Sequence, residues 1–346
     1  MAYTDIDNPE LYFQTVLWTG NGSNRSITLD GSENMQPDWV WGKNRGNDDN
    51  DYLMDSVRGA TKFLTTNNQT AESTSSTLLT SFDSDGFSLG TSAGLNASGV
   101  TAVGWCWKAS GSTASNSDGS VTSSVSANTT AGFSIITYTG TGSVGTIGHG
   151  LNSAPELVIL RNRAVTSSWW TWGELIGNVN ILELQSTAAK NNPNGNYHND
   201  TMPTSSVISF GSDGQVSGSG QSHICYAFHS VKGYSKIGSF TGNGNADGNF
   251  VYLGFKPAFI LLKGSANTEN WSMYDNKRLG YNVDNNVLYP NTIGTEGTSD
   301  DIDFLSNGFK IRRQTGLLND SGVEYIYMAF AESPFVNSKG VPNNAR

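Results

Sequence analysis

Apolar positions along the chain fall in short runs rich in Val, Ile, Thr and aromatic residues, alternating at period two and stopping at Asn-Gly, Asp-Gly and Gly-x-Gly. Alternation at that period places every second side chain on one face of an extended backbone, so the pattern predicts strands joined by tight turns. Helical periodicity is weak. Only residues 55–64 and 168–176 leave room for a short turn or helix crossing between sheets.

The runs repeat in order. Trp18-Thr19-Gly20-Asn21-Gly22 recurs as Tyr138-Thr139-Gly140-Thr141-Gly142 and as Phe240-Thr241-Gly242-Asn243-Gly244. A proline-led strand ending in a basic residue follows each: Pro37 to Lys43, Pro155 to Arg161, and Pro257 to Lys263. Next comes a turn, read at Ser84-Asp85-Gly86, Ser212-Asp213-Gly214 and Ser306-Asn307-Gly308. Each copy closes on an aromatic-rich strand, around Trp105-Cys106-Trp107, Tyr226-Ala227-Phe228 and Tyr327-Met328-Ala329-Phe330. Spacings of about 120 and 102 residues are far above solenoid periods, so each copy is read as a whole unit.

The expected organisation is an N-terminal arm over 1–12, units over 13–108, 132–230 and 231–335, a Ser/Thr/Gly-rich linker over 109–131, and a polar tail over 336–346. The expected fold class is all-β, with three tandem antiparallel β-sandwich, lectin-like repeats; a barrel is the alternative. The short connection Val231-Lys232-Gly233 predicts a rigid pair of second and third units, with the first on a looser tether.

Composition narrows the function classes. Charged residues make up only 14% of 346, where soluble domains carry about 25%, and the net charge is −10. No basic excess is present to track phosphates or an anionic membrane, so neither nucleic-acid binding nor membrane insertion is expected. No basic-then-apolar leader opens the sequence, which points to synthesis in a cytoplasm without a signal peptide. The two cysteines, Cys106 and Cys225, read as occupying equivalent places in separate units, too far apart to pair, and are expected free and buried.

Catalytic patterns are missing, and the expectation is no enzyme, no catalytic residue, no cofactor and no metal. His149, His198, His223 and His229 lack metal spacing, and His149 reads as a turn residue. Asp55 and Asp275 each precede an arginine by three residues, Arg58 and Arg278, whereas the second unit has Gly173-Glu174 there; the pairs read as ion pairs fixing a loop. Asp83-Ser84-Asp85-Gly86 starts like a calcium loop but has Gly94 at the position needing Glu. Asn47-Asp48-Asp49-Asn50-Asp51 reads as a solvated loop.

Trp39/Trp41 and Trp105/Trp107, spaced i, i+2, share strand faces and read as core. Trp169, Trp170 and Trp172 follow the polar Thr166-Ser167-Ser168. They are the candidate ligand-binding residues, with at least one expected to lie exposed as a platform for a sugar ring.

In its order of Tyr12-Phe13-Gln14, Trp18 to Gly22, Gln36 to Trp41, Asp55 to Gly59 and Phe82 to Phe87, the chain resembles a repeat common in virion proteins of marine bacteriophages, especially short-tailed ones. The resemblance implies a particle component, tail fibre or tail-associated, and brings no catalytic residues. The expected function is host attachment by a virion structural protein, with a capsid decoration protein or a glycan-degrading enzyme as alternatives. Expected partners are other virion proteins, further copies in a homo-oligomer, and a host-surface glycan. Tyr3, Ile6 and Pro9 of the arm are the expected particle-docking residues.

Overall fold

The Thr-Gly-x-Gly motif marks the same backbone event three times. The computed structural model describes residues 3–278, 282, 285–299 and 301–343. Gly22, Gly142 and Gly244 take the left-handed conformation, at φ of 68°, 76° and 66°. Gly20, Gly140 and Gly242 press against the carbonyls of Ala97, Gly218 and Asp320, where a Cβ would come within 2.2–2.4 Å. Two different demands, one on φ and one on space, therefore require glycine at both sites.

Each motif ends an opening strand: Phe13–Thr19, Phe133–Thr139 and Ser235–Thr241. The closing strands, Thr101–Trp107, Ser222–Phe228 and Glu324–Pro334, pair beside them. Beyond these lie the proline-led strands Trp39–Asn44, Leu157–Asn162 and Phe255–Gly264, then the return strands Asp51–Asp55, Trp170–Trp172 and Ser272–Asp275. The order opening, closing, proline-led, return holds in all three larger sheets. The protein is nearly all β, 42% strand and 3% helix, in several antiparallel sheets.

Both faces of each closing strand are buried, which explains runs that are apolar almost without interruption. One face of each larger sheet covers a smaller sheet. In the first unit, Val16, Val40, Met54 and Cys106 meet Ile27, Phe87 and Leu89; matching cores fill the second and third. The opposite faces meet one another. Trp39, Trp105 and Trp107 of the first unit, Phe133, Tyr226 and Phe228 of the second, and Phe259, Met328 and Phe330 of the third form one shared core. Phe13 stacks on Phe330 at 5.2 Å, and Trp39 on Tyr226 at 4.8 Å.

Several expectations change. Residues 109–131 are not a bare linker: Ala114–Asn116 and Ser123–Asn128 form strands that extend the second unit's larger sheet beyond its opening strand. Of the turn or helix expected in segments 55–64 and 168–176, the structure has turns, at 56–58 and 174–176. Among the described residues the α-helices are Ala93–Asn96 and Gly214–Ser217, and Asp213 caps the latter. Ser212-Asp213-Gly214 is thus a helix cap and not the counterpart of the strand-joining turn at Ser84-Asp85-Gly86. The cysteines are free and buried. They are not equivalent, however: the proline-led strands align Cys106 with Ala227 and Ala329, and Cys225 with Gly104 and Tyr327.

Candidate functional site

The residues singled out by chemistry hold the three units together in a cyclic pattern. Asp55 and Arg58 pair with fully buried side chains, and Arg58 Nη2 donates to Leu53 O at 2.9 Å. Arg58 Nη1 reaches Glu72 at 3.2 Å, and Glu72 takes a two-point contact from Arg163 of the second unit, both bonds 2.8 Å. The hydroxyl of Tyr226, also from the second unit, donates to Asp55 Oδ2 at 2.7 Å. The third unit repeats the arrangement toward the first. Asp275 pairs with Arg278 at 2.6 Å and Arg278 with Glu296 at 3.2 Å, while Arg45 contacts Glu296 through two 2.8 Å bonds. Trp105 Nε1 donates to Asp275 Oδ2 at 3.0 Å. The acid and arginine pairs do fix loops, and they also build joints between units.

At the joint of second and third units every polar member is replaced. One step beyond the pair Val158 and Trp172, Gly173 falls beside Leu157, as Asp55 lies opposite Trp39 and Asp275 opposite Phe259. Three residues on stands buried Ile176 in place of arginine, and Met328 occupies the place of Trp105 and Tyr226. Lys190 N donates to Ser265 O, as Glu72 N does to Arg163 O and Glu296 N to Arg45 O. One acid–arginine joint has thus become an apolar one, closed by Lys190 and Glu324 at 3.1 Å.

The basic ends of the proline-led strands run in the same cyclic sense. Lys43 donates to Thr292 O of the third unit, Arg161 to Thr65 O and Asn68 O of the first, and Lys263 to Thr187 O of the second. The first unit is therefore tied on both sides and not loosely tethered. Asp51 of the acidic loop pairs with Lys43 inside this joint, and Asp83 accepts from the hydroxyls of Ser81 and Ser88.

Trp169, Trp170 and Trp172 are buried, at 0%, 5% and 0% exposure, so none offers an open face to a sugar. Trp169 Nε1 donates to Thr65 O of the first unit at 2.8 Å, and Trp271 at the matching position donates to Glu183 O of the second. Trp170 stacks on Tyr197 at 3.9 Å, and Trp172 fills the second unit's own core. Their polar surroundings are joint residues. The proposed docking arm is likewise built in: Ile6 enters the shared core and Pro9 is buried, while Asp5 N donates to Lys232 O. Only Tyr3 of the three candidates is exposed. Met1 and Ala2 of the arm, residues 344–346 of the tail, and Leu279 and Gly280 after Arg278 lie outside the described residues.

The histidines serve the interior. His149 Nδ1 accepts from Leu151 N, and its other ring nitrogen lies 3.1 Å from Thr204 O. His223 stacks on Tyr138 at 4.8 Å and is pushed down to about 4 by burial; burial also lowers His149 and His198. In the unfolded chain His223 takes its proton near pH 6.5, whereas the folded protein refuses it until about 4. Stability is thus lost as pH falls through 6.5 and levels off below about 4, with a contribution of about 2–3 kcal/mol by pH 4.5. Urea denaturation at pH 7 and 4.5 checks this: His223→Gln should lose correspondingly less stability than wild type between the two.

Two of the concavities among the described residues measure about 580 and 590 Å³. One, of about 590 Å³, takes lining from all three units, including Asn67, Gln185 and Asn291. Its polar groups are already engaged within their own units: Gln185 accepts from Trp169 N, and Asn291 donates to Asn270 while accepting from Trp271 N. The other, an open groove of about 580 Å³, lies where the arm, the second and third units and the tail converge, between Tyr3 and Tyr252. No residue pattern singled this groove out, because its walls come from five separate stretches of chain. Among the described residues no group of three or more His, Cys, Asp or Glu could hold a metal ion, and no helix is long and apolar enough to cross a membrane.

No curated protein matches the chain. A family model described as a domain of unknown function, DUF7483, matches residues 8–334, the stretch from the arm to the end of the last closing strand. The repeated sheets and the joints between them lie within one continuous match, and the chain belongs to the DUF7483 family.

Proposed function

We propose that the chain is a structural component of a bacteriophage particle, a tail fibre or tail-associated adhesin that presents three tandem antiparallel β-sandwich, lectin-like units to the host surface. The observation that carries this reading is the shared core with its cyclic joints. Charged groups that would stand in a reaction centre are spent on holding repeated sheets in one rigid block, a device suited to an appendage that must keep its shape in the open. The motif order resembling phage virion repeats supports it. In this reading the protein acts as a homo-oligomer, in which weak surface contacts multiply.

The test is gold labelling of purified particles with an antibody to the chain, together with competition for host attachment by the soluble protein. Label on the tail and blocked attachment support the proposal. Label on the head shell would make it a decoration protein, and release of new reducing ends from host polysaccharide would make it an enzyme.

A further inference from the structure

We propose that the groove between Tyr3 and Tyr252 binds an acidic saccharide, a sugar chain bearing carboxylates; this rests on the adhesin reading and names its ligand. Tyr3 is 61% exposed and Tyr252 55%, and both line the same 580 Å³ opening. Aromatic rings left open in a concave surface offer flat apolar area to the C–H face of a pyranose. Each ring has an ammonium beside it: Lys232 Nζ lies 6.0 Å from the Tyr3 ring centre and Lys236 Nζ 5.8 Å from that of Tyr252. The one carboxylate in the lining, Glu156, already accepts from the backbone N and hydroxyl of Ser230. Glu156 keeps its charge in these bonds, so the lining, with Lys232 and Lys236, carries one net positive charge in a protein whose net charge is −10, and the Lys236 ammonium beside the Tyr252 ring draws an anionic ligand here.

Comparison among the units separates what the fold needs from what the groove adds. Register aligns Lys236 with Gln14 and Ser134, and Tyr252 with Thr28 and Gly148. All three residues at the first position tie down backbone carbonyls: Gln14 those of Glu10 and Glu33, Ser134 that of His149, Lys236 that of Tyr252. A neutral side chain does that work in the other two units. The charge of Lys236 and the ring of Tyr252 are thus surplus to folding. They stand on the same groove as the exposed ring of Tyr3.

The experiment is calorimetric titration of the full chain with an alginate hexasaccharide and, separately, with the neutral maltohexaose, in low salt. The expected result is alginate binding at least about tenfold tighter than maltohexaose and weakened severalfold by 0.5 M NaCl. Lys236→Gln and Tyr252→Thr, which install the first unit's residues, should each weaken alginate binding about tenfold with melting temperatures unchanged. Equal affinity for both sugars, no measurable alginate binding, or full affinity in both variants would overturn the proposal. Host-cell attachment separates the two levels of inference. If the double variant still attaches as wild type does, the groove assignment falls and the adhesin reading stands. If the wild-type chain takes alginate yet attaches to no cell, the adhesin reading falls and the groove stands.

Discussion

Arg58→Ala should destabilise the protein by about 3–5 kcal/mol, because it strips the counter-charge from a buried carboxylate and leaves it neutral donors, the Tyr226 hydroxyl and the backbone N of residue 58. Asp55 and Arg58 are fully buried, and the same guanidinium holds Leu53 O and Glu72. Its loss leaves a carboxylate among aromatic rings and removes one donor each from Leu53 O and from Glu72, which keeps Arg163. The joint of second and third units shows how the site can do without charge. There Gly173, Ile176 and Met328 stand for Asp55, Arg58 and Tyr226. Replacing a buried ion pair wholesale by apolar groups is often neutral, whereas removing one partner is not. The triple variant Asp55→Gly, Arg58→Ile, Tyr226→Met should therefore recover most of the stability that Arg58→Ala loses. Equilibrium denaturation of the two variants beside wild type decides it; a triple variant no better than the single one would refute the account.

Trp39→Ala should cost about 3–5 kcal/mol and lower the unfolding of all three units together. The indole sits within 4.4 Å of the Trp107 ring centre, 4.8 Å of Tyr226, 5.6 Å of Phe133 and 5.8 Å of Phe228. Its Nε1 finds no acceptor among the described residues, so packing and not hydrogen bonding carries the effect. Trp39→Phe should accordingly cost much less than alanine. Calorimetry should show a single transition for both variants, moved to lower temperature; a shift confined to one of several separate transitions would mean that the shared core does not couple the units.

These two sites also show what the sequence makes legible. The Thr-Gly-x-Gly motifs could be read because a left-handed turn and a close carbonyl both demand glycine locally. The i, i+2 tryptophans announced burial, since period two fixes their face, but not which of two cores that face enters. The missing acid at Gly173 was visible as a gap, while its compensation at Met328 comes from another unit and only register reveals it. Residues 109–131 pass for a linker because edge strands need few anchors: Val125 alone from this stretch is buried in the second unit's own core, with Val121 and Ala127 partly buried against it. The tryptophans at 169, 170 and 172 misled for a related reason. Their polar neighbours resemble a solvent boundary, yet Ser168 bonds Gln69 of the first unit across a joint.

The hydrogen bonds from Ser338 to the Asp7 carboxylate, its backbone N at 2.7 Å and its hydroxyl at 2.5 Å, bring residues 7 and 338 side by side. Since each unit also grips the next in the same rotational sense, the ring has no natural starting point. A circularly permuted chain, spliced from 338 to 7 and reopened at Val231-Lys232-Gly233, would be asked to make the same contacts in a different order of synthesis.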